Sequence, residues 1–208
     1  YDPTLQLGGD FYDFIDLPAH ELGICVADVV GKGIPAALLM ASIRSALRVY
    51  APTSDDVRRV MSAVNRHLCR DTLLNEFATI SYCVLSPEER SLRYCNAGHP
   101  SPVLLRDGDF RQLDAGGLAI GISNAESFES GACELRSGDV IVMFTDGVTE
   151  ALNFQGELYG QARLLESIRK HHDLAAMPLA HQLLWDVRRF AGLAEQTDDI
   201  TIVTIKVA

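Results

Sequence analysis

Two short apolar segments, each ending at an aspartate beside a glycine turn, constrain the fold of this 208-residue chain most strongly. The first is "LGICVADV" at 22–29, in which Asp28 comes just before the turn "VGKG". The second is "VIVMF" at 140–144, which Asp146 and a glycine follow almost at once. Short apolar runs bounded by turn signals are typical of buried strands. Both aspartates are therefore expected where a buried strand emerges.

Helical patterns account for much of the remaining chain. The range 35–50 opens on a proline, which suits the first turn of a helix, and its apolar residues then recur at intervals of three and four. A second helix is expected from the candidate cap Ser54 to about Arg70. Two further helices are predicted over roughly 161–171 and 178–191.

Alternating segments predict strands paired in hairpins. The segments 77–85 and 91–97 flank the turn "SPEER", and 102–113 carries Asp107-Gly108, a strong hairpin signal. A last strand is expected in the closing "TDDITIVTIKV". Because helices come in pairs and strands in hairpins, we predict an α+β fold in which helices cover antiparallel sheets.

No segment has the composition of a linker between domains. The stretch 115–131 is rich in glycine and serine but contains apolar residues that we expect to anchor it as a surface loop: Leu118, Ile120, Ile122 and Phe128. With 48% hydrophobic residues the chain suffices for one globular domain over 1–208. Since it begins on Tyr1 rather than Met, we expect a part of a longer protein.

The charge balance narrows the classes of partner. The chain has 28 Asp and Glu residues against 18 Lys and Arg, which argues against a nucleic-acid-binding surface. No signal peptide and no unbroken apolar run of membrane-spanning length are evident, so a cytoplasmic location without membrane contact is expected. The five cysteines are widely spaced and are expected to be buried free thiols of a reducing compartment.

Acidic residues recur at strand boundaries, at Asp10, at Asp28, at Asp146 and at the pair Asp198 and Asp199. Taken alone, an Asp-Gly step is more often a turn than a ligand. Four such positions in one chain favour another interpretation, because converging carboxylates repel one another unless cations lie between them. Oxygen ligands of this kind suit Mg²⁺ or Mn²⁺, and two such ions can bind a phosphate and activate a water.

Five segments, in this order and at these separations, resemble one known family: "GGDFYD", "VADVVGKGIPAALLMA", "NAGHPSPVLL", "FTDGVTEA" and "QTDDITIV". They are similar to the metal-dependent PPM protein phosphatases, in the bacterial branch typified by SpoIIE and RsbU. The resemblance runs from about Leu7 to Val207. It implies a four-layer αββα sandwich, two antiparallel sheets flanked by helix pairs, with two Mn²⁺ or Mg²⁺ ions at one end.

The resemblance also implies roles for individual residues. Asp28 would bridge both metals, and the backbone carbonyl of Val29 would bind one of them. Asp146 and Asp198 would bind the other, with Asp199 as a rival to Asp198. Asp10 would act directly or through water.

The implied reaction is in-line attack of metal-bound hydroxide on a phosphoserine or phosphothreonine, without a phosphoenzyme. Where eukaryotic members carry a histidine suited to protonating the leaving group, this chain has Val30. A metal-bound water is the first candidate for that acid. Lys32 could supply charge but is more simply solvated, and His99 is more simply a loop histidine bonded to backbone groups than a ligand.

The expected substrate is a phosphorylated regulatory partner, by resemblance an anti-sigma-factor antagonist of the STAS type. A sensor or receiver domain in the full-length chain would control activity by docking on the helices 35–50 and 54–70. The alternative is a pseudophosphatase that binds partners without catalysis. The sequence leaves open whether the chain forms a homodimer.

Overall fold

Two β-sheets with helices on their outer faces make up the computed structural model, which describes residues 1–4, 8–71 and 76–208. The first sheet has the order β1-β2-β3-β4-β7, with β8 also paired to β4, and the second has the order β10-β9-β5-β6. All pairings are antiparallel except the two-residue contact of β4 with β7.

The strands of the first sheet are β1 Phe11–Asp16, β2 Leu22–Val29, β3 Ala78–Ser86, β4 Ser91–Ala97, β7 Gly116–Gly117 and β8 Gly131–Glu134. Those of the second are β5 Val103–Arg106, β6 Asp109–Gln112, β9 Val140–Phe144 and β10 Ile202–Lys206. The α-helices are α1 Ile34–Tyr50, α2 Val57–Asp71, α3 Asp146–Thr149, α4 Gly160–His171 and α5 Ala176–Ala191.

Three apolar cores explain the near-continuous hydrophobicity of β2 and β9. On β2, Ile24 packs in the core between the sheets, whereas its neighbour Cys25 packs in the core beneath α1 and α2. On β9, Met143 faces the inner core and Val142 the core beneath α4 and α5. Successive side chains of a strand point to opposite faces, so a strand covered on both faces must be apolar throughout. The predicted αββα layering is confirmed.

Most local predictions were right, and the N-cap of α2 is an exception. The Asp107-Gly108 hairpin is present, with both residues at positive φ. Helix α2 is capped by Asp56, whose carboxylate accepts the Arg58 amide at 3.0 Å, and not by Ser54. The Ser54 hydroxyl instead accepts the Asp56 amide at 3.2 Å. An aspartate two residues further along therefore replaces the predicted cap.

The loop 115–131 is anchored by two of the four predicted residues. Ile120 and Phe128 are buried, but Leu118 and Ile122 are 56% and 54% exposed. Ile120 also forms a backbone bridge with Ala78 at the end of β3. Separately, all five cysteines are free and four are buried, as predicted.

By length and composition, one helical stretch among the described residues, Ile34–Thr53, would suffice to cross a membrane. Arg44 and Arg48 interrupt it, so it is not the unbroken apolar run that the sequence was found to lack. Core helices of soluble proteins meet the same criterion. Here Ile43 and Leu47 pack against the first sheet, and Arg44 and Arg48 bind the buried carboxylate of Asp13 on β1. These are the contacts of a helix that covers a sheet.

Candidate metal centre

Strand β2 brings Asp28 and Val29 to one end of the first sheet, where the chain turns towards α1. The chain before β1 comes very close to this point. A Cβ at Gly9 would lie 2.7 Å from the Val29 carbonyl oxygen and 3.4 Å from Asp28 Oδ1. Only glycine permits this approach, which places the next residue, Asp10, beside Asp28.

Asp10 links this end of the first sheet to the second. Its buried carboxylate accepts hydrogen bonds from the hydroxyl of Thr145, after β9, at 2.7 Å and from that of Thr201, before β10, at 2.8 Å. Burial raises the pKa of Asp10 to about 8; the two hydroxyls oppose this effect, and the charges of Asp28 and Asp199 add to it. A carboxylate of this kind is costly to ionise without a cation nearby.

Asp28 is subject to the same effects. Burial raises the pKa of Asp28 to about 7, and the negative charges of Asp146 and Asp198 are the next largest causes. A hydrogen bond with Asp10 acts in the opposite direction. Two neighbouring carboxyl groups that share a hydrogen bond cannot both be ionised without repulsion.

Asp146 follows β9 and begins α3, at the same end of the second sheet. Burial, and then the charge of Asp198, raise the pKa of Asp146, while Lys32 lowers it. The close approach of the next residue holds the geometry, because a Cβ at Gly147 would lie 1.9 Å from the Asp199 carbonyl oxygen. The structure thus brings Asp10, Asp28 and Asp146 together from three segments of the chain.

Asp198 and Asp199 differ in what they contact. Asp199 is buried, and its carboxylate accepts the backbone amides of Thr4 at 2.7 Å and, more weakly, of Asp10 at 3.5 Å. The side chain of Asp198 is 45% exposed and lies 3.2 Å from Lys32 Nζ. Asp199 therefore holds the N-terminal segment in place by hydrogen bonds. The charge of Asp198 instead raises the pKa of Asp28 and of Asp146.

Sequence reasoning missed several partners of these aspartates. Lys32 does not merely face solvent, since its ammonium group contacts both Asp198 and the Thr197 carbonyl. The threonines that bind Asp10 stand next to the acidic motifs in "FTDG" and "DDIT", and that adjacency was the available signal. Tyr1 also lies near these aspartates. Burial, and then the charges of Asp199 and Asp10, raise the pKa of Tyr1 to about 12.

His99 is a structural residue. Its Nδ1 lies 2.8 Å from the Thr79 hydroxyl, and its backbone amide and carbonyl both bind the side chain of Asn96. Burial lowers the pKa of His99 to about 3, so the ring is neutral. The prediction of a loop histidine bonded to backbone groups agrees with a hydrogen bond between the ring and the Phe144 backbone, which opposes the lowering of the pKa.

The donor set fits divalent cations in its chemistry. Carboxylates with a backbone carbonyl among them are the hard oxygen ligands that Mg²⁺ and Mn²⁺ prefer. In the described part of the chain, no three acidic, histidine or cysteine side chains are arranged as a formed metal site. Instead, Asp10 and Asp28 share a hydrogen bond and Asp198 is turned to Lys32. A cation would replace these contacts and relieve the repulsion that raises the pKa values.

Comparisons with known proteins agree with this architecture. The family model described as "Stage II sporulation protein E (SpoIIE)" matches residues 18–208. The chain is 30% identical over 206 residues to the phosphoserine phosphatase RsbU of Bacillus subtilis (strain 168), covering 98% of this chain and 61% of RsbU. It therefore spans less than two thirds of that relative's length.

Solved structures show the same fold. The RsbU and RsbW domains of Rv1364c from Mycobacterium tuberculosis align with a TM-score of 0.84 at 28% identity, over 97% of this chain and 57% of that one. The SiaA-PP2C domain of Pseudomonas aeruginosa aligns with a TM-score of 0.89 at 23% identity, over 100% and 84%. RsbX in complex with magnesium aligns with a TM-score of 0.75 at 18% identity, over 100% and 92%.

The resemblance found in the sequence motifs is thereby confirmed. The family match spans Asp28, Asp146 and Asp198, and the match to RsbU covers nearly the whole chain. The chain belongs to the SpoIIE family.

Proposed function

We propose that this chain hydrolyses phosphoserine or phosphothreonine on a regulatory protein, with two Mn²⁺ or Mg²⁺ ions held at the carboxylate end of the sandwich. We define the carboxylate end as Asp10, Asp28, Asp146, Asp198 and Asp199. The observation that carries the proposal is that three segments bring Asp10, Asp28 and Asp146 to one end of the sandwich, where Asp10 is buried and the other two are half-buried. Burial and the charges of neighbouring aspartates raise the pKa of each. A fold retains such a cluster at a cost in stability, and cation binding is the function that repays it.

The proposed ligands are Asp10, Asp28, the Val29 carbonyl, Asp146 and Asp198. When bound, divalent ions supply a water of lowered pKa and neutralise charge on a phosphate. The protein positions the ligands: the Thr145 and Thr201 hydroxyls fix the orientation of Asp10. Asp28 is influenced both by Asp10 and by the charges of Asp146 and Asp198. This central place supports the proposal that Asp28 would be shared by both ions.

The contacts of the two adjacent aspartates favour Asp198 over Asp199 as a ligand. Asp198 is partly exposed and its charge acts on both Asp28 and Asp146. Asp199 already accepts two backbone amides and is buried. We therefore assign Asp199 to positioning the N-terminal segment and Asp10.

Proton delivery to the leaving group is not assigned to a side chain. Val30, at the position of the histidine in eukaryotic members, is 39% exposed and has no acidic proton to donate. Lys32 brings one ammonium group to this end. If divalent ions are held at this end, they would supply a polarised water as the source of that proton.

The substrate and regulation extend this proposal. We propose that residues 1–208 form one phosphatase domain of a longer cytoplasmic protein, and that the substrate is a phosphorylated STAS-type antagonist of an anti-sigma factor. A sensor or receiver domain would dock on α1, whose outer face exposes Ile34, Leu38 and Val49. Equal activity and metal affinity for the isolated domain and for the full-length protein in every signalling state would contradict such control.

The decisive experiment compares hydrolysis of p-nitrophenyl phosphate with Mn²⁺ by the wild type, Asp28→Asn and Asp146→Asn. We expect both variants to lose at least about 100-fold in kcat, because each removes a charge that would hold the cations. Calorimetric titration with Mn²⁺ should show weaker uptake by both variants.

The matched control is Asp109→Asn. Asp109 is an exposed aspartate that begins β6, and the β5–β9 register places it at the opposite end of the second sheet from Asp146. This variant should keep the wild-type rate. Equal rates in the wild type, Asp28→Asn and Asp146→Asn would instead favour the pseudophosphatase, a module that binds its partner without catalysis.

A further inference from the structure

A cavity of about 280 Å³ lies beside the carboxylate end, on the side of the second sheet. It is enclosed by the C-terminal part of α5, the loop from α5 to β10 and the turn after α3. Two of its lining residues, Gly147 and Asp198, belong to the segments that carry the proposed metal ligands. Anything bound in this cavity therefore lies next to the carboxylate end.

The walls of this cavity are mainly apolar. Leu152, Val187 and Ile200 line it together with small residues such as Ala194. The adjoining surface is apolar as well, since Leu193 is 89% exposed and Leu158, bridged to Leu152, is 52% exposed. Apolar side chains gathered at a concave site next to a reaction centre are typical of a binding subsite.

The charges around the cavity oppose an acidic occupant. Arg188 lines the cavity, but its guanidinium group is bound to Asp2 at 2.6 Å. Glu195 and Asp198 also line it and carry negative charge. An acidic side chain would meet repulsion here, whereas an apolar side chain would gain from burial.

We propose that this cavity binds an apolar side chain of the phosphoprotein substrate, from a residue close in sequence to the phosphoserine. This inference rests on the proposed phosphatase function and adds a substrate preference to it. Pockets for whole small-molecule ligands usually exceed about 300 Å³, so the present volume suits one large side chain such as Leu, Met or Phe. Because an extended chain advances about 3.3 Å per residue, that side chain lies within about four residues of the phosphoserine.

The experiment compares two kinds of substrate. One is p-nitrophenyl phosphate, which cannot reach the cavity with a side chain. The other is a set of phosphoserine peptides with a Ser-Gly-Ala background and a single Leu placed in turn at each of about four positions on either side. The wild type should prefer Leu at one or two adjacent positions by about 10-fold or more in kcat/KM, since burial of Leu contributes that much.

Filling the cavity should remove this preference. Ala194→Phe should flatten the peptide profile while hydrolysis of p-nitrophenyl phosphate stays within about threefold of the wild type. Ala194→Ser, which leaves the volume open, is the matched control and should keep the preference. Ala151→Leu, on the wall formed by the turn after α3, is a second filling variant if Ala194→Phe does not fold.

Three results would overturn the inference. A flat peptide profile of a wild type that hydrolyses p-nitrophenyl phosphate would remove the subsite and leave the phosphatase function intact. A change of molar mass in light scattering with Ala194→Phe, at unchanged peptide preference, would show that the cavity receives a second copy of the chain. A wild type inactive on every substrate with Mn²⁺ would refute the proposed function, and the subsite with it.

Discussion

An aspartate lies at each end of strand β9, but the two carboxylates have different surroundings. At one end the side chain of Asp139 is 1% exposed and binds Arg106 at 2.5 Å. At the other end Asp146 faces Asp28 and Asp198. Within the described residues, ion pairs reach Asp139 but not Asp10, Asp28 or Asp146.

The pKa directions express the same difference. Burial alone would raise the pKa of Asp139, but the hydrogen bonds from Arg106 and the Arg136 amide hold it below its usual value. At the carboxylate end, burial and like charges leave the pKa of Asp146 raised. One end therefore carries its own cation and contributes to the stability of the fold. The other end holds like charges together, as the cation binding that we propose would require.

The largest expected effect on stability tests the Asp139 end. Arg106→Met leaves the buried carboxylate of Asp139 without its cation, and we expect a loss of about 3 kcal/mol in the free energy of unfolding. Urea denaturation measures it. The control is Arg58→Met, which removes an exposed ion pair with Asp56 and should leave the free energy of unfolding nearly unchanged, because the arginine side chain is 55% exposed. Equal losses would show that burial of Asp139 does not distinguish the two pairs.

The pH dependence of stability tests the carboxylate end. An unfolded aspartate titrates near 3.9. In the folded protein without metal, burial raises the pKa of Asp28 to about 7 and that of Asp10 to about 8. Between these values the folded state retains protons that the unfolded state has lost, so stability falls as pH rises from about 4 to 8. Since one pKa unit corresponds to about 1.4 kcal/mol, we expect a loss of at least about 2 kcal/mol, or at least about 5 °C in Tm.

Thermal melting in EDTA between pH 5 and 8 measures this loss. Excess Mg²⁺ should reverse it, because the cation favours the ionised carboxylates and binds only the folded state. Asp28→Asn should flatten the curve in EDTA. The pair of Asp139 and Arg106 acts in the other direction, since its contribution is lost only as pH falls below about 4. A wild-type Tm that rises with pH in EDTA would contradict the repulsion we infer.

Local and repeated signals made much of this architecture predictable. Both strands that lead to Asp28 and Asp146 are apolar on two faces because helices and the opposite sheet cover them. The coincidence of an aspartate with the end of each such strand then predicted the cluster. Hydrophobicity could not tell which face of an irregular loop is buried, so Leu118 and Ile122 were wrongly expected to be anchors.

Contacts between distant segments were beyond the sequence. Thr145 and Thr201 are 135 and 191 residues from Asp10, and nothing in their local sequence specifies which acceptor their hydroxyls meet. The contact of Lys32 with Asp198 likewise depends on how two loops meet in space. The choice between Asp198 and Asp199 also needed the three-dimensional structure, because two adjacent aspartates can be told apart only by what their side chains contact.

That choice gives the next prediction in order of size. Asp198→Asn should weaken Mn²⁺ binding at least about tenfold with little change in unfolding, since its side chain is half exposed. Asp199→Asn should instead cost about 1 to 2 kcal/mol of stability, because a buried charged acceptor of the Thr4 amide becomes neutral. Titration calorimetry and urea denaturation of both variants measure the two effects. The reverse pattern would make Asp199 the ligand.

Lys32 gives the smallest expected effect, and it bears on what the carboxylate end lacks. Its ammonium group binds Asp198 and lowers the pKa of Asp146, so without metal it acts as a partial internal cation. A bound divalent ion would have to share Asp198 with this group and accept its repulsion. Lys32→Met should therefore tighten Mn²⁺ binding by about two- to fivefold, and should change stability by less than about 1 kcal/mol because both partners are half exposed.

The control Lys170→Met removes an exposed lysine on α4 and should leave Mn²⁺ affinity unchanged. If Lys32→Met weakens Mn²⁺ binding instead, Lys32 holds Asp198 in place for the metal, and the carboxylate end depends on an internal cation much as Asp139 does.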